Sequence, residues 1–169
     1  PEVIADSLNR GRMNEQFGRT ELKYDIREVD SVYFVHNIDW AFKVWREQPW
    51  GKKVSFENFC EYVLPYRVGD ECPVEWRERL YDKYNSLLDS IRLKPESVFP
   101  WIVADVLLDS LKKRSPRFVS YSYAKHSAGP EIADWLSGNC EDLADAFTYI
   151  CRSLGIPSGC DEMLMRGDN

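Results

Sequence analysis

Apolar residues recur at helical spacing along most of this chain, and the breaks between them fall at proline, glycine and capping residues. Phe34, Ile38, Ala41, Phe42 and Trp45 form one stripe. Asp30 or Ser31 stands where an N-cap belongs, so a helix is predicted to about Gln48, ended by Pro49-Trp50-Gly51. Ser55 can cap a short helix with Phe56, Phe59, Cys60 and Val63 inward and Pro65 as its stop. Trp76, Leu80, Tyr84, Leu87, Leu88 and Ile91 give a longer stripe. Pro73 suits the first turn of a helix that would carry it to about Arg92. A further helix is predicted from Ser97 to about Arg114, with Pro100 early enough to be tolerated.

The rest of the chain is less periodic. Glu2–Gln16 reads as a short helix, and Leu22-Tyr24-Ile26 alternates like a brief strand. Phe118-Val119-Ser120-Tyr121 reads as extended, Pro130 opens a short helix through Leu136, and residues 160–165 read as a strand.

The most informative stretch is residues 138–157, Gly-Asn-Cys-Glu-Asp-Leu-Ala-Asp-Ala-Phe-Thr-Tyr-Ile-Cys-Arg-Ser-Leu-Gly-Ile-Pro. Asn139 is a good N-cap, and Asp142 stands three residues on, as in a partial capping box. Leu143, Ala144, Phe147, Ile150, Cys151 and Leu154 give the helix an apolar face. Gly155 supplies a left-handed stop, Ile156 the apolar contact beyond it, and Pro157 blocks continuation. Cys140 therefore opens a packed helix. The positive end of the helix dipole favours a thiolate there, and first-turn N–H groups can stabilise an oxyanion. Glu141 and Asp142 carry charge that opposes the thiolate.

This run resembles the core motif of the transglutaminase-like superfamily, in which Gly-x-Cys is followed by an apolar helix and Arg-x-Leu-Gly-Ile-Pro. The matching residues are Gly138, Cys140, Arg152, Leu154, Gly155, Ile156 and Pro157. Asn37-Ile38-Asp39-x-Ala41-Phe42 and the run from Ser55 to Arg67 look like the helical leader of larger bacterial members. The resemblance implies an α+β fold: a helical N-terminal lobe over residues 1–95 and the front half of a transglutaminase/papain-like core over 96–169. It implies Cys140 as the catalytic nucleophile, attacking a peptide or amide carbonyl of a peptide or protein substrate. The acyl group then passes to water or an amine. It also implies a histidine base and an orienting acid downstream of the cysteine, and no matching position here supplies either. The chain is accordingly expected to be inactive as it stands. The strand expected at Cys160–Met165 would offer an open edge for self-association. A non-catalytic module of the same superfamily, binding peptide or glycan, is one alternative; a helical scaffold or interaction domain with an incidental Gly-Asn-Cys is the other.

Composition narrows the remaining classes. The chain has 169 residues, 44% hydrophobic and 14% aromatic, enough for a substantial core. No apolar run is long enough for a membrane span. The net charge of −6 argues against nucleic acid as the main partner. The basic run Lys112-Lys113-Arg114-Ser115-Pro116-Arg117 closes a predicted helix, where cations suit the dipole. The cysteines (Cys60, Cys72, Cys140, Cys151, Cys160) are odd in number and match no common zinc spacing, so neither metal nor other cofactor is expected. No calcium-loop pattern occurs.

Other residues read as structural. Cys151 and Cys160 are expected in the core. Of the two histidines, His36 lies within a predicted helix, and His126, fourteen residues before Cys140, reads as a surface or substrate-side group. Trp40, Trp45, Trp76 and Trp101 follow helix stripes and are expected in the core. Trp135, Trp101 and Tyr121–Tyr123 are candidates to line a peptide groove. Asp105 with Asp109 and Asp142 with Asp145 read as solvated or capping pairs.

Overall fold

A computed structural model describes residues 24–69, 71–94, 98–118 and 129–161. Among them the chain is mostly helical, with one two-stranded parallel sheet. In order the elements are α1 (Asp25–Glu28), α2 (Ser31–Glu47), a 3-10 turn (Pro49–Lys53) and α3 (Phe56–Tyr62). Then come α4 (Arg77–Tyr84), a 3-10 turn (Asn85–Leu88), α5 (Asp89–Arg92) and α6 (Pro100–Lys112). β1 (Arg117–Phe118), a 3-10 turn (Gly129–Glu131), α7 (Ile132–Trp135), β2 (Ser137–Gly138) and α8 (Cys140–Ser153) complete it.

The predicted caps work as their chemistry requires. The Asp30 carboxylate accepts from the Val32 N–H at 2.9 Å, and the Ser55 hydroxyl from the Asn58 N–H at 3.1 Å. Pro100 occupies the first turn of α6, where its missing N–H costs nothing. The helix predicted from Pro73 instead starts at Arg77 and breaks at Asn85. There the Arg92 guanidinium takes the Asn85 carbonyl at 2.8 Å, out of reach of the helical ladder. Tyr24 and Asp25 open a helical turn rather than a strand. The carboxylate of Asp25 is held by the Tyr66 hydroxyl and the Arg67 guanidinium, and tertiary bonding decides the local structure. Cys160 and Asp161 are irregular rather than strand, and residues 162–165 lie outside the described residues. So do Glu2–Gln16, Leu22, Ser97, Val119–Tyr121, Tyr123 and His126.

One main core gathers Trp50, Trp76, Leu80, Tyr84, Leu88 and Ile91 with Val98, Val103, Leu107, Ile132, Tyr149, Ile150, Leu154 and Ile156. The buried core thus runs across residue 95. A smaller cluster of Ala41, Val54, Phe59 and Val63 joins α2 to α3. Gly51 has no room for a side chain, because a Cβ there would collide with the Trp45 carbonyl. Several residues expected inside are exposed: Ile38, Phe56 and Trp101, at 41%, 60% and 62%. Trp101 stacks on Phe99 at 4.4 Å instead of entering the core. Among the described residues no helix is long and apolar enough to cross a membrane.

Candidate functional site

α8 is surface at its first turn and core at its last. Cys140, Glu141 and Ala144 are exposed, whereas every residue from Thr148 to Ile156 is buried. Ala144 therefore leaves the apolar face predicted for it, and the buried face is wider than the hydrophobic pattern because polar residues share it: Asp142, Asp145, Thr148, Arg152 and Ser153.

Cys140 is the first residue of α8, as its flanking residues predict. The capping box is complete. Asn139 Oδ1 accepts from the Asp142 N–H at 2.8 Å, and Asp142 Oδ2 accepts from the Asn139 N–H at 3.0 Å. Gly138 lies so close to Asp142 that a Cβ on it would meet that side chain, so glycine is required where β2 turns into α8. The thiol is exposed rather than turned into the interior.

The far end of α8 is fixed by a Schellman turn. Gly155 sits at φ +72°, its N–H donates to the Arg152 carbonyl at 3.2 Å, and the Ile156 N–H donates to the Cys151 carbonyl at 2.9 Å. Trp50 Nε1 donates to the Leu154 carbonyl at 2.9 Å, so the same turn is tied into the main core.

A buried polar network surrounds this end. Arg152 Nε donates to the Ser158 carbonyl at 3.0 Å and Nη1 to the Arg67 carbonyl at 2.9 Å. Burial pulls the guanidinium down from its ordinary range; the carboxylates of Glu71 and Asp145 act against that. Glu71 is itself buried and accepts from the N–H groups of Val68 at 2.7 Å and Gly69 at 2.8 Å. Asp145 is buried beside Arg152, not solvated as its spacing suggested. Asp105 and Asp109 are exposed, as expected.

Arg77, fully buried, is the second cation of the network. Nε donates to Asn37 Oδ1 at 2.6 Å, Nη1 to the Arg152 carbonyl at 3.3 Å, and Nη2 to the carbonyls of Val63, Leu64 and Pro65 at 2.6, 3.0 and 3.0 Å. Those last three oxygens lie at and just past the C-cap of α3, where a cation complements the dipole. Burial, with the charge of Arg152 adding to it and Tyr33 acting against it, pulls the guanidinium down to about 9. Sequence patterning did not reveal Arg77 or Glu71. Arg77 lies next to Trp76 on a charged helix, and only the fold shows that its side chain turns inward.

The other cysteines divide clearly. Cys151 is buried, and burial pushes its thiol up to about 12, so it is chemically quiet. Cys72 and Cys160 are exposed; Cys160 is not core because residues 159–161 run along the surface. His36, the one histidine among the described residues, stands between Glu75 at 3.8 Å and Glu78 at 3.6 Å. It is engaged with those two carboxylates, in keeping with a structural role. Trp135 is exposed, and its Nε1 donates to the Ser137 carbonyl at 3.0 Å, which folds the ring back over β2 just ahead of Cys140. Among the described residues no cluster of three His, Cys, Asp or Glu side chains could hold a metal ion.

No protein-family model, curated protein or solved structure matches this chain.

Proposed function

We propose that this chain is part of a transglutaminase-like cysteine enzyme, with Cys140 as its nucleophile. The observation that carries the reading is the position of Cys140: an exposed thiol on the first residue of a helix whose cap, core face and exit turn are all fixed. Fixing a helix at both ends holds the thiol in one place relative to its first-turn N–H groups, as a reacting nucleophile requires.

The chemistry is acyl transfer. Cys140 Sγ forms a bond to the carbonyl carbon of a peptide or amide, the C–N bond breaks, and the amine leaves with the thiol proton. Water or a second amine then attacks the thioester, and the C–S bond breaks. Hydrolysis is the first choice of outcome. The superfamily's histidine and acid follow the motif matched here, and formation of the acyl-enzyme is the step that tests Cys140 itself. Losing a triad member costs turnover by factors of thousands or more.

The p-nitrophenolate of an activated ester leaves without being protonated, so the first step needs only the thiolate of Cys140 and no acid at the leaving group. With a p-nitrophenyl acyl ester, intact-mass spectrometry should show one acyl group per chain. Peptide mapping should place it on Cys140, and a small amine should discharge it. Cys140→Ala should remove the adduct. Acylation spread evenly over Cys72, Cys140 and Cys160 would contradict the reading.

A further inference from the structure

We infer that the face carrying Arg114, Arg117, Phe118 and Trp135, backed by Arg79 and Lys83, is a docking surface for a short acidic peptide segment. The fold assembles this face from parts far apart in the chain. The Asp134 carboxylate pairs with Arg79 and, at 3.3 Å, with Lys83, whose Nζ also donates to the Asp134 carbonyl at 2.6 Å. Arg114 lies over the same Tyr84 ring as Lys83, each 5.4 Å from its centroid. Arg117 is set beside this cluster by its own backbone, the N–H donating to the Leu136 carbonyl at 2.8 Å as β1 pairs with β2.

Arg79, Lys83 and Arg114 thus gather at one place, with Arg117 brought near by β1, and Asp134 pairs with two of them. Neither Arg114 nor Arg117 has an ion-pair partner among the described residues. The basic run that the sequence assigns to a helix end therefore splits. Lys112 pairs with Asp109 at 3.6 Å, as a helix end requires, and Arg114 turns away to join Lys83. Burial lowers the proton affinity of Lys83, and the charges of Arg114 and Arg79 add to that, so the cluster gains from an incoming anion.

Two exposed aromatic rings flank the cations. Trp135 is 54% exposed and Phe118 63%. Cations alternating with exposed aromatics suit a segment with acidic and apolar side chains. The chain as a whole carries −6, so a long polyanion would be repelled beyond this face. A short acidic segment would not.

The surface stands on charge and exposure alone. That the docked segment is the substrate of Cys140 rests on the function proposed above. It follows from proximity: Cys140 is five positions on from Trp135, which is at most about 18 Å of chain.

The test is fluorescence anisotropy with a labelled Glu/Tyr-rich dodecapeptide, the same peptide with Gln for Glu, and a single-stranded oligonucleotide of equal charge. The Glu peptide should bind at least about tenfold more tightly than the Gln peptide, and less tightly as salt rises. Arg114→Glu with Arg117→Glu, both exposed, should lose at least about tenfold. The charge-matched pair Lys52→Glu with Lys94→Glu, and Cys140→Ala, should leave binding unchanged. Equal binding of the two peptides, equal loss in both charge-reversed pairs, or tighter binding of the oligonucleotide would overturn the inference. Binding without acylation of Cys140 keeps the surface and removes the enzyme; acylation without binding does the reverse.

Discussion

Replacing Arg77 with methionine removes a cation to which five buried or half-buried oxygens are bonded, and its cost follows from what those oxygens are left with. The carbonyls of Val63, Leu64 and Pro65 follow α3, Arg152 contributes one near the end of α8, and Asn37 Oδ1 completes the set. Methionine fills most of the volume but donates nothing. Leu64 keeps Asn37 Nδ2 at 3.1 Å and the Arg152 carbonyl keeps the Gly155 N–H at 3.2 Å; the other oxygens lose the donor that the guanidinium supplies. Each unsatisfied buried acceptor costs about 1–3 kcal/mol, and water entering near the loop recovers part of it. Relief from burying the charge offsets a further part. The net expectation is a loss of about 3–5 kcal/mol. For a chain of this size that corresponds to a fall in Tm of roughly 6–20 °C. Urea unfolding followed by tryptophan fluorescence reads it as a lower midpoint at constant slope. Arg77→Lys keeps the charge but not the planar fork, and should lose about half as much. A methionine variant within about 1 kcal/mol of the parent would refute the claim that this cation ties α3, α4 and α8 together.

Two further outcomes follow from the same helix. Gly155→Ala places a side chain at φ +72° with its Cβ 3.1 Å from the Val44 carbonyl, and should cost about 1–2 kcal/mol or more by urea unfolding; an unchanged midpoint would mean that the Schellman turn does not constrain α8. Cys151 keeps its proton up to about 12 in the folded chain, against 9.0 for an ordinary thiol. The unfolded chain gives up that proton first, so the contribution is complete below about pH 9 and is lost as pH rises toward about 12. Urea midpoints should therefore fall between about pH 8 and pH 10, and Cys151→Ala should flatten the fall; an equally steep fall in the variant would show that the thiol is not shielded.

Much of the helical framework could be read from the sequence because it depends on local rules. The Asp30 and Ser55 caps, Pro100 at a helix start, the Asn139 cap and the Gly155 stop each involve residues within one turn of each other. The position of Cys140 came with them. Features that depend on distant partners were not legible. Arg77 and Glu71 look like surface charges until the fold closes over them, and Asp145 looks solvated until Arg152 is buried beside it. The break at Asn85 arises from Arg92, seven residues on, and the helical turn at Asp25 from Tyr66 and Arg67, some forty residues on. Trp101 shows the opposite failure: it follows its stripe, yet the core is filled without it. The basic face around Trp135 was hidden for the same reason, since α4 and the end of α6 meet only in the folded chain.

The account turns on whether Cys140 is a chemically distinct thiol, and the protein carries its own controls in the exposed Cys72 and Cys160 and the buried Cys151. Native protein is pulsed with limiting iodoacetamide, quenched, unfolded and labelled with a heavy form of the same reagent. The light-to-heavy ratio at each cysteine then gives its native rate. A nucleophile held at a helix N-terminus should react at least about tenfold faster than Cys72 and Cys160, with Cys151 protected. Equal rates at the three exposed thiols, or a Cys140 slower than its controls, would contradict the reading of this helix as the site of a cysteine nucleophile.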